Sequence, residues 1–177
     1  FRVLPLEDLR VLWGADSQAV QTVSLAADPE SGSNQLPGYL KYKDLNLTRL
    51  KAYLSEKDSL LAEEPYFTTI VDSSREFNVN PLVLFAIAGH EQGFVPKAGP
   101  NSARIINNPF NVFHSWKEYN TNIRDSSRIA ARTVVHAAEG RPQQSNPFLW
   151  INRRYAEDTN WWKGVSGIYA QLEEVQE

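Results

Sequence analysis

At 177 residues the chain has the length of about one domain, with enough residues to bury a sizeable core. Its composition, 42% hydrophobic and 22% charged, is that of a globular protein, and its longest apolar run, Pro81 to Ala88, is far too short to span a membrane. The absence of cysteine excludes disulfides, thiol nucleophiles and Cys-ligated zinc or iron–sulfur centres, and His90, His114 and His136 are too scattered to look like a metal site.

The formal net charge of -3 is unevenly spread: residues 1–92 hold 8 basic and 13 acidic groups, residues 93–164 hold 10 and 5. Such a gradient either makes a basic face suited to an anionic partner or is mixed away by folding. The chain opens at Phe1 with no basic-then-apolar leader, and reads as a processed or excised piece of something longer.

Residues 1–38 read as an N-terminal extension or linker. They hold an apolar segment from Leu4 to Trp13, a partly alternating run from Ala19 to Leu25, and turn chemistry from Asp28 to Gly38. Residues 39–177 read as a helical domain. Leu47, Leu50, Tyr53 and Leu54 share one face of a helix that Asn46 caps, and Phe67, Ile70, Val71 and Phe77 mark a second helix from Pro65 to about Phe77. The third has both ends written into it: Asn80 as N-cap, Pro81 at the first helical position and Gly93 as C-terminal stop. Nearly everything between them is apolar, which predicts a helix buried on most sides. Residues 94–122 read as loop. Helices follow from about Asp125 to Ala138, from Asn146-Pro147, and from about Asn160 to Glu174. The expected class is mainly α, with functional loops.

Three constellations carry candidate chemistry. Glu91 lies in the last turn of the buried helix, next to the apolar wall of Ile87 and Ala88. Desolvation and the partial negative charge of a helix C-terminus both disfavour a carboxylate there, and a carboxyl group that keeps its proton is what protonation of a glycosidic oxygen requires. The alternative is a Glu91 that ends the helix in water. A zincin site is excluded, because His-Glu-x-x-His has Phe94 at its last position. The second constellation is Asn107-Asn108-Pro109-Phe110-Asn111-Val112-Phe113 with Trp116 and Tyr119. Asparagine donates and accepts at once, and aromatic faces suit pyranose rings, so the segment reads as a carbohydrate groove or as turn and core. In the third, Tyr155-Ala156-Glu157-Asp158-Thr159-Asn160-Trp161-Trp162, a phenol precedes a helix that opens on two indoles, of which one is expected to be exposed or groove-lining.

In this order the three segments resemble the endo-β-N-acetylglucosaminidase family of bacterial peptidoglycan hydrolases, which have a lysozyme-like fold. The matching pieces are Asn80-Pro81, Glu91-Gln92-Gly93, Asn107-Asn108-Pro109-Phe110-Asn111 and Tyr155-Ala156-x-Asp158-x-x-Trp161, and the match spans about residues 65–172. The resemblance implies cleavage of the β-1,4 bond between N-acetylglucosamine and N-acetylmuramic acid, with glycan strands as partner, no nucleic acid, no metal or organic cofactor, and residence in the cell wall or outside the cell. It implies Glu91 as general acid, Tyr155 beside the cleaved sugar, and Asn107, Asn108 and Phe110 in the groove, where Phe113, Trp116 and Trp161 are further binding candidates. The chain departs from the family in one respect. Members commonly insert a β-hairpin carrying a second carboxylate after the Asn-Asn-x-Phe segment, and here the interval is short, so the β-lobe is short or absent and the carboxylates available are Glu118 and Asp125. Glu118 is the candidate for the second catalytic role; the substrate's acetamido group, or Glu91 with a positioned water, are the others. A lytic transglycosylase and a catalytically weak glycan-binding module are the competing functions.

Overall fold

The computed structural model describes residues 34–177. The apolar and alternating segments expected before residue 34 lie outside the described residues. Residues 34–38, read as the end of the linker, pack on the domain: Leu36 is buried, Asn34 Nδ2 donates to the Asn78 carbonyl at 3.0 Å, and Gln35 Oε1 accepts from Gly140 N at 2.8 Å.

The described residues are mainly helical, as expected. Seven α-helices follow one another: α1 (Leu47–Glu56), α2 (Tyr66–Glu76), α3 (Pro81–Gln92), the short α4 (Ser102–Ile105), α5 (Ile123–Ala137), α6 (Pro147–Tyr155) and α7 (Trp161–Glu174). Single 3₁₀ turns occupy Gly38–Leu40 and Leu60–Ala62. The only β pairing among the described residues is an isolated bridge between Ser59 and Pro96. None of their helices is long and apolar enough to cross a membrane.

Asparagine starts four of these helices. Asn46, Asn80, Asn122 and Asn146 each accept, through Oδ1, a backbone N–H of the first turn: Arg49, Leu82, Asp125 and Leu149 respectively. Each such cap is worth about 1 kcal/mol relative to alanine, because it satisfies an otherwise orphaned donor. α5 begins two residues before its expected start at Asp125. Asn122 caps it, and its Nδ2 also donates to Asp125 Oδ2 at 3.1 Å, so this carboxylate is spent on the helix end.

α3 is the centre of the domain. Every side chain from Pro81 to Ala88 is buried, as an apolar helix without a polar face requires. It packs most extensively on α7 and also meets α2 and α5, while α5 bridges α2 and α6. The α3–α7 contact depends on Gly164, where a Cβ would stand 2.2 Å from His90 Nδ1. At the edge of the core a paired Arg128 and Glu76 tie α5 to α2, with Nε to Oε2 at 3.0 Å. The fold thus delivers the C-terminal end of α3 to the N-terminal end of α7.

Candidate functional site

α3 stops where its sequence predicts. Gly93 sits at φ 54°, the left-handed conformation that glycine adopts without penalty, and its N–H returns to the Gly89 carbonyl at 3.0 Å. Phe94 and Val95 continue in the same region at φ 63° and 54°. A β-branched residue there is a backbone outlier that the surroundings must impose, at a cost of about 1–3 kcal/mol. The surroundings are a clamp: Ser59 Oγ donates to the Phe94 carbonyl, and Leu60 N donates to that of Val95 at 2.9 Å. The clamp holds the chain reversal immediately after Glu91.

Glu91 is partly buried and both of its carboxylate oxygens are engaged. Trp161 Nε1 donates to Oε1 at 2.7 Å, and Asn111 Nδ2 donates to Oε2 at 2.8 Å. Asn111 is in turn held by Gln92 Nε2, which donates to its Oδ1 at 2.9 Å. One residue from each of the three sequence constellations therefore meets at one carboxylate. Bonds to a charged acceptor are short and strong, as these two distances are.

Asn111 reaches Glu91 because the loop around it is locked. Asn108, fully buried, donates from Nδ2 to the carbonyls of Val112 and Tyr119 at 2.9 Å and accepts from Val112 N at 3.0 Å. Asn107 Nδ2 donates to Asn120 Oδ1 at 2.9 Å, and Asn120 Nδ2 donates to the carbonyls of Arg104 and Trp116 at 2.7 and 2.9 Å. Asn111, Phe113 and His114 all have positive φ, at 50°, 53° and 81°. Asparagine tolerates that region because its short amide bonds locally; Phe113 and His114 are held in it by the amide ladder around them.

The third segment is organised by a residue that the sequence reading passed over. Asn152 on α6 is buried and donates to the carbonyls of Ala156 and Asp158 at 3.1 and 2.9 Å, while its Oδ1 accepts from Trp162 N at 3.2 Å. This closes the turn from Tyr155 into α7. The rings of Tyr155 and Trp161 then stack, with centroids 4.8 Å apart and planes 23° from parallel, and His90 packs edge-on against Trp161 at 6.2 Å. The Tyr155 ring is wholly buried and its hydroxyl is a buried polar atom with no partner among the described residues. Burial, and after it the charge of Glu91, pushes this phenol well above its ordinary titration range.

Several candidate residues stand elsewhere than expected. Phe110, Asn108 and Trp161 were expected to line a groove, but their side chains are enclosed: Phe110 fills the core, Asn108 holds the loop, and the Trp161 ring is 1% exposed with its N–H turned to Glu91. Of the two adjacent tryptophans it is Trp162 that stays partly open, with Lys163 over its ring at 5.9 Å. Asn107, Phe113 and Trp116 are partly exposed. Phe113 packs edge-on against Tyr119 at 4.9 Å, and Arg104 and Lys117 lie 5.4 and 5.5 Å from the centroid of Trp116. Glu118 is exposed, in a turn closed by its own N–H to the Ser115 carbonyl, and its carboxylate has no partner among the described residues. Neither Lys117 nor Arg124 forms an ion pair with it. Hollows of about 240 and 290 Å³ lie on α6, beside Trp150, Arg153 and Arg154 and beside Leu149, Asn152 and Glu157, away from this carboxylate. No group of three or more metal-ligating side chains occurs among the described residues.

Asn111 and Gln92 are the partners of Glu91 that the sequence does not single out. Both stand inside quoted motifs, and the signal that marks them is position: Gln92 follows Glu91, and Asn111 is the one asparagine of its cluster that directly follows an aromatic, in the pattern Phe-Asn-Val-Phe. No protein-family model, curated protein or solved structure matches this chain.

Proposed function

We propose that the protein is a peptidoglycan hydrolase that cleaves the β-1,4 bond between N-acetylglucosamine and N-acetylmuramic acid, acting in the cell wall or outside the cell. The observation that carries this reading is the convergence of the three motif segments on Glu91 through Asn111 and Trp161. In this reading Glu91 takes up a proton and delivers it to the glycosidic oxygen as the bond to the anomeric carbon breaks. The indole of Trp161 and the amide of Asn111 fix the direction in which that proton leaves. Tyr155, wholly enclosed and stacked on Trp161, backs the indole with its ring and keeps a neutral phenol. Asn107, Phe113 and Trp116, on the partly open side of the loop, provide polar and aromatic contacts for the sugars.

Replacing Glu91 with Gln tests the assignment. Turnover of purified peptidoglycan falls by about 10²–10⁴-fold, the contribution of a positioned general acid, with glycan binding retained. Wild-type turnover in that variant would remove Glu91 from the mechanism.

One observation favours a second reading of the same site. Asp125 is engaged at the start of α5 and Glu118 has no partner among the described residues, so among these residues Glu91 is the only carboxylate in the hydrogen-bonded cluster. Chemistry that needs a single acid, either assistance by the substrate's acetamido group or the ring closure of a lytic transglycosylase, suits that arrangement. Mass spectrometry of released fragments separates the two: free reducing ends mark hydrolysis, 1,6-anhydro ends the transglycosylase. Strand binding with no released fragments marks a binding module.

A further inference from the structure

The bonds that reach Glu91 are of two chemical kinds. An indole N–H can only donate, so Trp161 fixes Oε1 as an acceptor whatever the charge on the carboxyl group. A carboxamide donates from one end and accepts at the other, and turning it over by 180° exchanges the two with almost no change in shape. On the Oε2 side stand two carboxamides in series. Gln92 Nε2 donates to Asn111 Oδ1 at 2.9 Å, and Asn111 Nδ2 donates to Glu91 Oε2 at 2.8 Å, so every donor in the chain points toward the carboxylate. That polarity matches an ionised Glu91 best. A proton on Oε2 would face the Asn111 amide N–H.

We propose that this chain is reversible and that Asn111 and Gln92 are positioning residues which carry Glu91 through both protonation states. When Oε2 takes a proton from solvent, the Asn111 and Gln92 amides turn over together. Glu91 then donates from Oε2 to Asn111 Oδ1, and Asn111 Nδ2 donates to Gln92 Oε1. The only covalent change is the O–H bond on Oε2, and each amide exchanges its O and N while the carbon skeleton keeps its place. The same logic assigns the proton to Oε2, because Oε1 remains committed to the indole. Its use in delivering that proton to a sugar rests on the hydrolase reading; the reversal itself does not. The surroundings favour an ordered switch. Asn111 is buried, and its backbone is held at φ 50° by the loop that Asn108 locks. The titratable groups around Glu91 are His90 on α3, which packs on Trp161, and Tyr155 on α6, whose phenol stays neutral over the working range. No lysine or arginine is ion-paired to Glu91 among the described residues.

The test is NMR of the ¹³C,¹⁵N-labelled protein with no substrate present. As pH is lowered through the titration of the Glu91 side-chain carbon, the side-chain amides of Asn111 and Gln92 shift with the same midpoint. The NOE from the Asn111 amide protons moves from the Glu91 side chain to that of Gln92, while the Trp161 indole N–H keeps its hydrogen-bonded shift. A Glu91→Gln variant provides a reading that needs no acid: its neutral amide is isosteric with the protonated acid, so the reversed pattern is present at neutral pH and does not titrate. Asn111 amide protons that stay on residue 91 in the variant, or amide signals that ignore the Glu91 titration in the wild type, overturn the proposal. A protein that reverses its amides but leaves peptidoglycan intact keeps the switch and loses the hydrolase reading. One that cleaves peptidoglycan without reversal does the opposite.

Discussion

α3 and the segment from Asn107 to Asn120 reach the same carboxylate by different physics. α3 is held by burial: its side chains from Pro81 to Ala88 lie in the core, and each large one contributes about 1.5–3 kcal/mol by leaving water. Burial has no direction. It places a helix but cannot aim an amide to within hydrogen-bond distance of one oxygen. The Asn107–Asn120 segment has almost no regular structure and three residues at positive φ, and it is held by asparagine amides bonded to particular carbonyls and N–H groups. Each such bond contributes only about 0.5–1.5 kcal/mol, but each has a fixed direction. The helix therefore supplies stability and the Glu91 carboxylate, and the loop supplies the direction of the bond to it.

Substitutions can break this division. The largest effect on stability is expected in α3. Phe85→Ala should cost about 3–5 kcal/mol in denaturant unfolding, with the fraction that remains folded keeping its specific activity on glycan strands. Loss of activity beyond the unfolded fraction would mean that α3 aims the site as well as carrying it. Asn108→Ala comes next. It leaves the Val112 and Tyr119 carbonyls and the Val112 N–H without partners, a cost of about 1–3 kcal/mol, and here turnover should fall further than the folded fraction explains because Asn111 loses its frame. Asn108→Asp should not restore it, since a carboxylate accepts from Val112 but has nothing to donate to the two carbonyls.

Tyr155→Phe sharpens the comparison at the stacked ring. The hydroxyl removed has no partner to lose, so neutral-pH stability should change little, while turnover should fall by about 10- to 1000-fold if the phenol touches the reacting sugar. Unchanged turnover would confine Tyr155 to packing. The same variant has a pH signature. Burial raises the folded phenol above the unfolded value of about 10, so its contribution to stability is complete below about pH 10 and is lost as pH rises toward the folded value, where the unfolded chain sheds the proton first. Melting between about pH 9 and 11 should show a shallower alkaline decline in Tyr155→Phe than in the wild type. The smallest effect on stability, within about 0.5 kcal/mol, is expected for exposed Glu118→Gln. Its turnover decides whether the second catalytic role lies in the loop: a fall of about 100-fold places it there, and no change assigns it to the substrate or to water.

The helices were legible because their signals are local. Asn46, Asn80, Asn122 and Asn146 cap within three residues of themselves, Pro81 and Pro147 stand at first helical positions, and Gly93 ends α3 at the φ it alone adopts freely. The start of α5 was read late because Asn122 and Asp125 both suit a helix opening, and only their mutual bond shows which is the cap. α4 was missed because a four-residue helix has no period to detect. In the site, the acid and the three segments were readable as residue types with a suitable order. The burial of Phe110, Asn108 and Trp161 was not, since an aromatic or an amide has the same letter whether it faces a sugar or a carbonyl.

By itself the sequence determined the class, the helix ends and the candidate acid, because each depends on neighbours a few residues apart or on a buried apolar run. The tertiary structure alone decided which partners that acid has. Asn111 is 20 and Trp161 70 residues away from Glu91 along the chain, and the indole reaches Oε1 from the start of α7, the helix that packs most extensively on α3. Contacts at such separations exist only once loop closure has been offset by the packing of α3 on α7, and that packing is a property of the folded chain as a whole.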